Sequence, residues 1–239
     1  MEFLPDNLTN DSILSGRIKL LQPKVGYRVA VDPIILAHFI NIKPEEKILD
    51  VGCGVGTVSL ILKSKEKLAQ ITAIDVDEEM CRICVQNSLL NSLEIEVKNV
   101  AIEKIDDDPS LRNRLFDRVV TNPPFLKQKS SRISESKKLA NFETIDLCDW
   151  IAFCVSKLKN NGILSIIHRA SRLDDILQAL KDIAGSVVII PIFPKKGRDA
   201  NRVVVQAKKS GKSEAKICFG IVAHNDDGSY SEDMRDILY

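Results

Sequence analysis

The stretch Thr-Asn-Pro-Pro-Phe at residues 121–125 holds residue types that suit reaction with a planar amine. A residue before proline is pushed to an extended conformation, which fixes Asn122, and both prolines have a locked φ angle. The resulting stiff turn presents two acceptors, the Asn122 side-chain carbonyl and the Pro123 backbone carbonyl, with no competing proline N–H. Phe125 can stack on a flat substrate and hold it.

Two acceptors held close together suit an –NH₂ group. A conjugated amine is a poor nucleophile because its lone pair is delocalised. Accepting both of its hydrogens draws the nitrogen toward sp³ geometry and aims the lone pair at an electrophile, such as the methyl of a sulfonium. The turn therefore predicts Asn122, Pro123 and Phe125 as catalytic residues.

A second group of residues has the pattern of a cofactor turn. The segment LDVGCGVGTVSL carries Asp50 and three alternating glycines, Gly52, Gly54 and Gly56. Glycines there let the backbone turn sharply out of a strand and leave room for a ligand. Asp75 ends the next strand, where an acid accepts hydrogen bonds from ribose hydroxyls. The spacing indicates an adenosine-containing cofactor, and the missing GxGxxG fingerprint argues against a dinucleotide.

Alternating apolar strands and amphipathic helices must position these groups. They predict an α/β fold with a doubly wound, mostly parallel, seven-stranded Rossmann-like sheet, an antiparallel element near its end, and a short N-terminal hairpin and helix. Asp32 is expected to cap that helix, with Pro33 at its first position. We expect a single domain, with an extension packing on the cofactor crevice and a catalytic core. The ranges are 1–239 for the domain, 1–45 for the extension, 46–239 for the core, 13–23 for the hairpin, 145–162 for one long helix and 216–222 for a late strand.

Composition is that of a water-soluble globular protein, with 44% hydrophobic and 28% charged residues. No apolar run reaches the ~20 residues that span a bilayer, and the N-terminus lacks a signal-peptide pattern.

Six cysteines without a secretory signal indicate reduced thiols. Cys81 and Cys84 form a CxxC inside a helical pattern, so we interpret them as core residues and expect no metal site. The expectation is a cytoplasmic monomer.

Net charge is only +1, but bases are concentrated in two segments. Residues 127–138 carry five bases and one acid, and residues 195–216 carry eight bases and two acids. Solvated loops would explain them, and so would contact with a phosphate backbone. The second interpretation predicts RNA contacts at Lys127, Lys129, Arg132, Lys195, Lys196, Arg198 and Arg202.

Three features resemble known families. The DxGxGxG spelling is similar to that of S-adenosylmethionine-dependent methyltransferases, and Asn-Pro-Pro-aromatic resembles enzymes that methylate adenine N6, guanine N2 or glutamine N5. The segments QPKVGYRVAVDPIILAHF (22–39), NPPF, RLDDIL and RDANRVVVQAKKSG look like the bacterial tRNA(Val) adenine-N6 methyltransferase family. That resemblance covers nearly the whole chain.

The resemblance implies S-adenosylmethionine as the cofactor and assigns residues to it. The glycines would line the methionine moiety of the cofactor, and Asp75 would bind its ribose. The Asn122 turn would hold the adenine of the substrate. In many relatives an aspartate contacts the cofactor adenine where this chain has Ala101, so Asn99 or the backbone would take that part. LANFE at 139–143 also departs from the family pattern. The remaining predicted cofactor contacts are Tyr27, Arg28, Asp32, Asp50, Cys53, Val76 and, besides its catalytic role, Asn122.

The expected function is methyl transfer to N6 of an adenosine in tRNA, at position 37 in the anticodon loop. Two alternatives stay open within enzymes, namely protein glutamine N5 and rRNA guanine N2. A third alternative, an S-adenosylmethionine- and RNA-binding protein without turnover, is disfavoured by the intact Asn122 turn.

Overall fold

The computed structural model describes residues 7–25, 28–124 and 145–239. A hairpin and one helix come first: β1 (Leu8–Ile13), β2 (Ile18–Pro23) and α1 (Asp32–His38). The hairpin is antiparallel and forms a two-stranded sheet of its own. It confirms the predicted N-terminal hairpin and helix.

Strands and helices then alternate as the sequence predicts. The elements are β3 (Lys47–Val51), α2 (Thr57–Lys65), β4 (Gln70–Asp75), α3 (Glu78–Leu90), β5 (Glu96–Asn99), β6 (Phe116–Thr121), α4 (Leu147–Ser156), β7 (Leu158–Arg169), α5 (Leu173–Leu180), β8 (Ala184–Lys195), β9 (Arg202–Lys209), β10 (Lys216–Ile217), β11 (Ile221–His224) and α6 (Glu232–Leu238). Two short 3₁₀ helices cover Ile102–Asp107 and Ala170–Arg172.

The main sheet has the order β10-β8-β9-β7-β6-β3-β4-β5, and β11 pairs with β8 beside β10. All pairs are parallel except those of β9, which runs antiparallel to β7 and β8. The predicted fold class is confirmed, and two short strands bring the sheet from seven strands to nine. Strand order reverses between β3 and β6, which makes their carboxyl ends a topological switch point.

The sheet divides two apolar layers. Val120 faces the layer that contains residues of the hairpin, α1, α2, α3 and α6, whereas its neighbour Val119 faces the layer with α4 and α5. This alternation follows from the period of two along a strand and explains why β6 is apolar on both faces. Within the described ranges, no helix is long and apolar enough to cross a membrane.

Three predicted boundaries were wrong. The Asp32 side chain makes no cap hydrogen bond and instead pairs with Arg202, while Val31 occupies the N-cap. The helix predicted over 145–162 ends at Ser156, because buried Leu158 pairs with Phe116 in the sheet. The late strand over 216–222 is divided into β10 and β11.

Candidate active site

The turn between β3 and α2 is built by its three glycines. Gly52, Gly54 and Gly56 have φ angles of 72°, 54° and 89°, in the left-handed region that glycine adopts without strain. The N–H groups of Gly52 and Cys53 donate to Ile74 O at 2.9 and 3.0 Å. The turn is therefore tied to the end of β4, as the shared crevice requires.

Two of these glycines are also required by close packing. A Cβ at Gly56 would lie 2.5 Å from Cys84 Sγ, and a Cβ at Gly52 would lie 3.1 Å from Cζ2 of Trp150. Cys53 is buried, and hydrogen bonds with the Cys81 and Cys84 thiols, followed by burial, raise the pKa of its own thiol. Its side chain thus packs against α3, as expected for Cys81 and Cys84 themselves, and the predicted cofactor contact of Cys53 stays a prediction that concerns its backbone.

Asp75 lies beside the glycine turn. Its Oδ2 accepts from Gly54 N–H at 2.8 Å and its Oδ1 accepts from Asp77 N–H at 2.9 Å. Burial raises the pKa of this carboxyl, while these backbone hydrogen bonds lower it. Each carboxylate oxygen keeps a further lone pair, so the group can still accept from two hydroxyls of a ribose.

Three predicted cofactor contacts continue from Asp75 along the crevice. Val76 is 45% exposed and offers an apolar surface for a ring. Asn99 donates through Nδ2 to the backbone carbonyls of Asp75 and Val76, at 3.1 and 3.0 Å. Asn99, which also carries the acceptor Oδ1, is an exposed residue. Ala101 is half-buried and lies just before the 3₁₀ helix Ile102–Asp107.

Asp50 lies inside the fold, away from solvent. Its Oδ2 accepts from both the N–H and the hydroxyl of Ser59, at 3.2 and 2.7 Å. Burial raises the pKa of Asp50 to about 7 in spite of these hydrogen bonds. Asp50 therefore anchors α2 behind the glycine turn, and this geometry favours a supporting position over direct contact with a ligand.

Asn122 and Pro123 follow the end of β6, directly beside the glycine turn. Val51 pairs with Thr121 in the parallel ladder, so Gly52 and Asn122 are the next residues on neighbouring strands. Pro123 is buried, and Asn122 Oδ1 is buried without a hydrogen-bond partner in the described part of the chain. A buried carbonyl without a partner costs free energy, which a bound amine would recover.

Thr57 provides a second polar atom of this kind. Its Oγ1 is buried at the first residue of α2 and has no hydrogen-bond partner among residues 7–25, 28–124 and 145–239. The positive end of the α2 dipole lies at the same place. Together with the glycine turn and Asp75, these groups fit a cofactor that carries a carboxylate and a ribose.

The N-terminal residues predicted to close the pocket have other partners. Arg28 Nη2 lies 3.0 Å from Asp11 Oδ2 of β1. Asp32 is buried, and its Oδ2 accepts from Arg202 Nε at 2.8 Å. Because Arg202 begins β9, three strands from β3, this pair lies on the Asn122 side of the crevice and away from the glycine turn.

The basic residues of the β8–β9 connection lie at the same edge. Lys195 Nζ donates to Asp226 O at 3.0 Å, whereas Lys196 and Arg198 are exposed. Five further predicted site residues lie outside the described residues, namely Tyr27, Phe125, Lys127, Lys129 and Arg132. No group of three or more histidine, cysteine, aspartate or glutamate side chains in the described ranges could hold a metal ion.

Sequence reasoning did not single out three side chains at this edge, namely the buried Thr121 and His168 and the half-buried Trp150. Thr121 and Trp150 share a hydrogen bond of 3.0 Å. His168 ends the buried part of β7, and burial, followed by the charges of Arg172, Arg169 and Arg202, lowers its pKa to about 4. A polar residue in an otherwise apolar strand, as at Thr121, was the signal that could have found them.

Comparisons with known proteins agree with this geometry. A family model described as methyltransferase small domain matches residues 31–190. The tRNA1(Val) (adenine(37)-N6)-methyltransferase of Haemophilus influenzae is 26% identical over 216 residues, covering 88% of this chain and 89% of that protein. Its namesake in Aeromonas hydrophila is 26% identical over 215 residues, covering 87% of each chain. These relatives confirm the resemblance that the sequence motifs indicate.

Solved structures match the fold. A structure described as a predicted O-methyltransferase from Agrobacterium tumefaciens has a TM-score of 0.70 at 22% identity, covering 86% of this chain and 94% of that one. A T. thermophilus 16S rRNA N2 methyltransferase, solved with AdoMet and guanosine, has a TM-score of 0.58 at 16% identity, covering 84% of this chain and 50% of that one. At these identities the likeness concerns the fold.

Proposed function

The chain belongs to the methyltransferase small domain family, and we propose that it transfers a methyl group from S-adenosylmethionine to N6 of an adenosine in tRNA. By the names of its relatives, the target is adenosine 37, which lies in the anticodon loop. The observation that carries the proposal is the buried Oδ1 of Asn122, which has no partner in the described part of the chain and lies one strand from the glycine turn.

Bound S-adenosylmethionine supplies an electrophilic methyl group. Asp75 accepts hydrogen bonds from the ribose, the glycine turn lets the backbone approach the methionine moiety, and Val76 packs on the adenine. Thr57 and the N-terminus of α2 receive the carboxylate. In this arrangement the protein binds and orients the donor and forms no covalent bond.

Asn122 and Pro123 act on the acceptor. Their two carbonyl oxygens accept the hydrogens of the target amine, so that its lone pair is turned toward the methyl group. As the new N–C bond forms, the S–C bond of the sulfonium would break and S-adenosylhomocysteine would leave as a neutral thioether. Positive charge would develop on the nitrogen, where the same two dipoles stabilise it without reorganising, and one N–H proton would then pass to water. Pro123 contributes a rigid carbonyl because its ring fixes φ.

The other amines that such a turn can hold are less well supported. A release factor glutamine methyltransferase of Fusobacterium nucleatum is 27% identical over 208 residues, but this chain spans only 55% of that protein. The tRNA relatives, by contrast, are matched over most of their length. An adenine N6 substrate therefore accounts best for the whole chain.

The test uses purified protein, labelled S-adenosylmethionine and tRNA from a strain that lacks its own adenosine 37 methyltransferase. Mass spectrometry of the nucleosides should find N6-methyladenosine, mapped to position 37. Asn122→Ala should lower kcat by about 10²–10³-fold, similar to the loss of one oxyanion-hole donor, with little change in cofactor affinity.

Three results would contradict the proposal. Methyl groups on guanine N2 or on a protein glutamine would assign another substrate to the same site. Full activity of Asn122→Ala would reduce Asn122 to a strand end. Binding of cofactor and tRNA without any methyl transfer would mean that the protein has no turnover.

A further inference from the structure

Trp150 is the single tryptophan of the chain and lies on α4. Its indole Nε1–H donates to Thr121 Oγ1 at 3.0 Å. Its six-membered ring fills the space beside Gly52, where Cζ2 and Cη2 lie 3.1 and 3.3 Å from the position of a Cβ. One side chain therefore touches the end of β6 and the beginning of the glycine turn.

Thr121 continues this connection into β3. The residue is fully buried, and its hydroxyl donates to Val51 O at 2.8 Å. A hydroxyl has one hydrogen, so Thr121 must accept from Trp150 while it donates to Val51. The indole N–H, the hydroxyl and the carbonyl thus form a chain in which each bond polarises the next.

Two members of this series of hydrogen bonds directly precede residues of the proposed site. Val51 comes directly before Gly52, and Thr121 comes directly before Asn122. A shift of either strand end along the other would move the amine acceptor relative to the methyl donor. A misplacement of about 1 Å can lower a rate by about 10²-fold.

We propose that Trp150 and Thr121 are positioning residues that set the distance between the cofactor turn and the Asn122 turn. The inference rests on the proposed function, since it concerns the geometry of that transfer. Neither side chain needs to touch a substrate. Loss of the connection should therefore lower kcat and leave the binding of both substrates nearly unchanged.

Thr121→Val tests the connection because it keeps the shape of the side chain and removes the hydroxyl. We expect kcat for tRNA methylation to fall by about 100-fold, with KM for tRNA and Kd for S-adenosylmethionine changed by less than about threefold. Thr121→Ser is the matched control, since it retains the hydroxyl and should recover most of the rate. Trp150→Phe keeps an aromatic ring beside Gly52 and should lower kcat by about tenfold, because the bond from Thr121 to Val51 remains.

Three kinetic outcomes would overturn the inference. The first is a wild-type kcat in Thr121→Val, and the second is an equal loss in Thr121→Val and Thr121→Ser. The third is a parallel fall of kcat, cofactor affinity and melting temperature, which a merely structural role would produce. If Thr121→Val does not fold, Trp150→Phe provides the same test, namely a lowered kcat with nearly unchanged binding constants.

A fluorescence measurement separates this inference from the proposed function. Trp150 is the sole source of tryptophan emission, so acrylamide quenching reports on its surroundings alone. Thr121→Val should raise the quenching constant by about twofold or more, because the indole loses its partner, and Thr121→Ser should not. Equal constants in all three proteins would refute the connection. If the wild-type protein methylates no tRNA, the proposed function fails and the quenching result still decides whether the connection exists.

Discussion

The Asp75 carboxylate accepts a hydrogen bond from the Gly54 backbone N–H at 2.8 Å. The residue expected to bind the ribose therefore also holds the middle of the glycine turn. Its other oxygen accepts from Asp77 N–H at the start of α3. One carboxylate thus organises both sides of the crevice before any ligand binds.

Asp75→Ala should weaken S-adenosylmethionine binding by about 1–3 kcal/mol, as expected when hydrogen bonds to a charged group are lost. Titration calorimetry at pH 7.5 gives the value. Asp75→Asn keeps one acceptor oxygen and should lie between the wild-type protein and Asp75→Ala. An unchanged affinity for Asp75→Ala would exclude the ribose contact.

Gly56→Ala should abolish or strongly weaken cofactor binding. The new Cβ would lie 2.5 Å from Cys84 Sγ, on a backbone whose φ of 89° disfavours side chains. Gly197→Ala is the matched control, because Gly197 also has a positive φ but has nothing within 4 Å of its Cβ position. Both variants should lose about 1 kcal/mol of folding free energy to backbone strain, and only Gly56→Ala should lose more and lose the cofactor. Equal effects of the two substitutions would show that close packing at Gly56 is unimportant.

The stability of the protein should depend on pH through Asp50. The pKa of Asp50 is raised to about 7 by burial, so between pH 4 and 7 the folded protein holds a proton that the unfolded chain has released. Stability must then fall as pH rises through this window, by at most about 1.4 kcal/mol per pH unit from this group. The buried His168, with its pKa lowered to about 4, acts in the opposite direction up to about pH 6.5.

Asp50→Asn isolates the contribution of Asp50 to the pH dependence of stability, because the variant and the wild-type protein both contain His168. Urea unfolding at pH 4, 5, 6, 7 and 8 should show the variant gaining stability relative to the wild-type protein as pH rises. Ser59→Ala removes the hydroxyl hydrogen bond that holds the pKa of Asp50 down and keeps the backbone one, so it should extend the falling part of the curve to higher pH. Parallel curves for Asp50→Asn and the wild-type protein would mean that Asp50 stays ionised.

Binding of tRNA should weaken steeply with salt if the β8–β9 connection contacts phosphates. Lys196→Ala and Arg198→Ala should each reduce the slope of log K against log salt by about one unit. Lys67→Ala is the control. Lys67 is exposed and precedes β4, so it lies at the amino ends of the parallel strands, opposite the β8–β9 connection. Equal slopes for Lys67→Ala and Lys196→Ala would identify these bases as solvated surface.

Arg202→Ala should behave differently from the other bases. Arg202 pairs with the buried carboxylate of Asp32, so its removal leaves a charge without that partner. The variant should lose folding stability by about 1–3 kcal/mol. A change in salt slope with no change in stability would assign Arg202 to the RNA.

The sequence alone was enough for the order of strands and helices in the core and for the position of the glycine turn, because both follow from short-range patterns. Apolar runs such as 47–51 alternate with helices, and glycines mark the turn between them. What could not be predicted depends on tertiary partners. Leu158 has a helical spacing in the sequence, but in the structure it pairs with Phe116 in the sheet. Asp32 has the position of a helix cap, but its carboxylate forms an ion pair with Arg202.

The candidate site also combines features that short-range patterns predict with features that depend on tertiary partners. The places of Asn122, the glycines and Asp75 at the carboxyl ends of β6, β3 and β4 could be predicted from the strand pattern, and their roles in binding stay predictions. The contact of Trp150 with Gly52 could not be predicted, because it depends on where α4 packs against the sheet. That position is set by the packing of Leu147, Ile151 and Cys154 in the layer beneath.

Asn87 connects the N-terminal hairpin to the glycine turn. This fully buried amide accepts from Leu21 N–H at 2.6 Å and donates to Leu21 O and Val55 O, at 2.9 and 3.0 Å. Local opening of β2 would leave the buried Asn87 amide and the Leu21 backbone without each other, while the bond from Asn87 to Val55 O would remain. The hairpin and the turn are therefore anchored to one side chain of α3, and a ligand on the turn should slow hydrogen exchange in β2 only if the two open together.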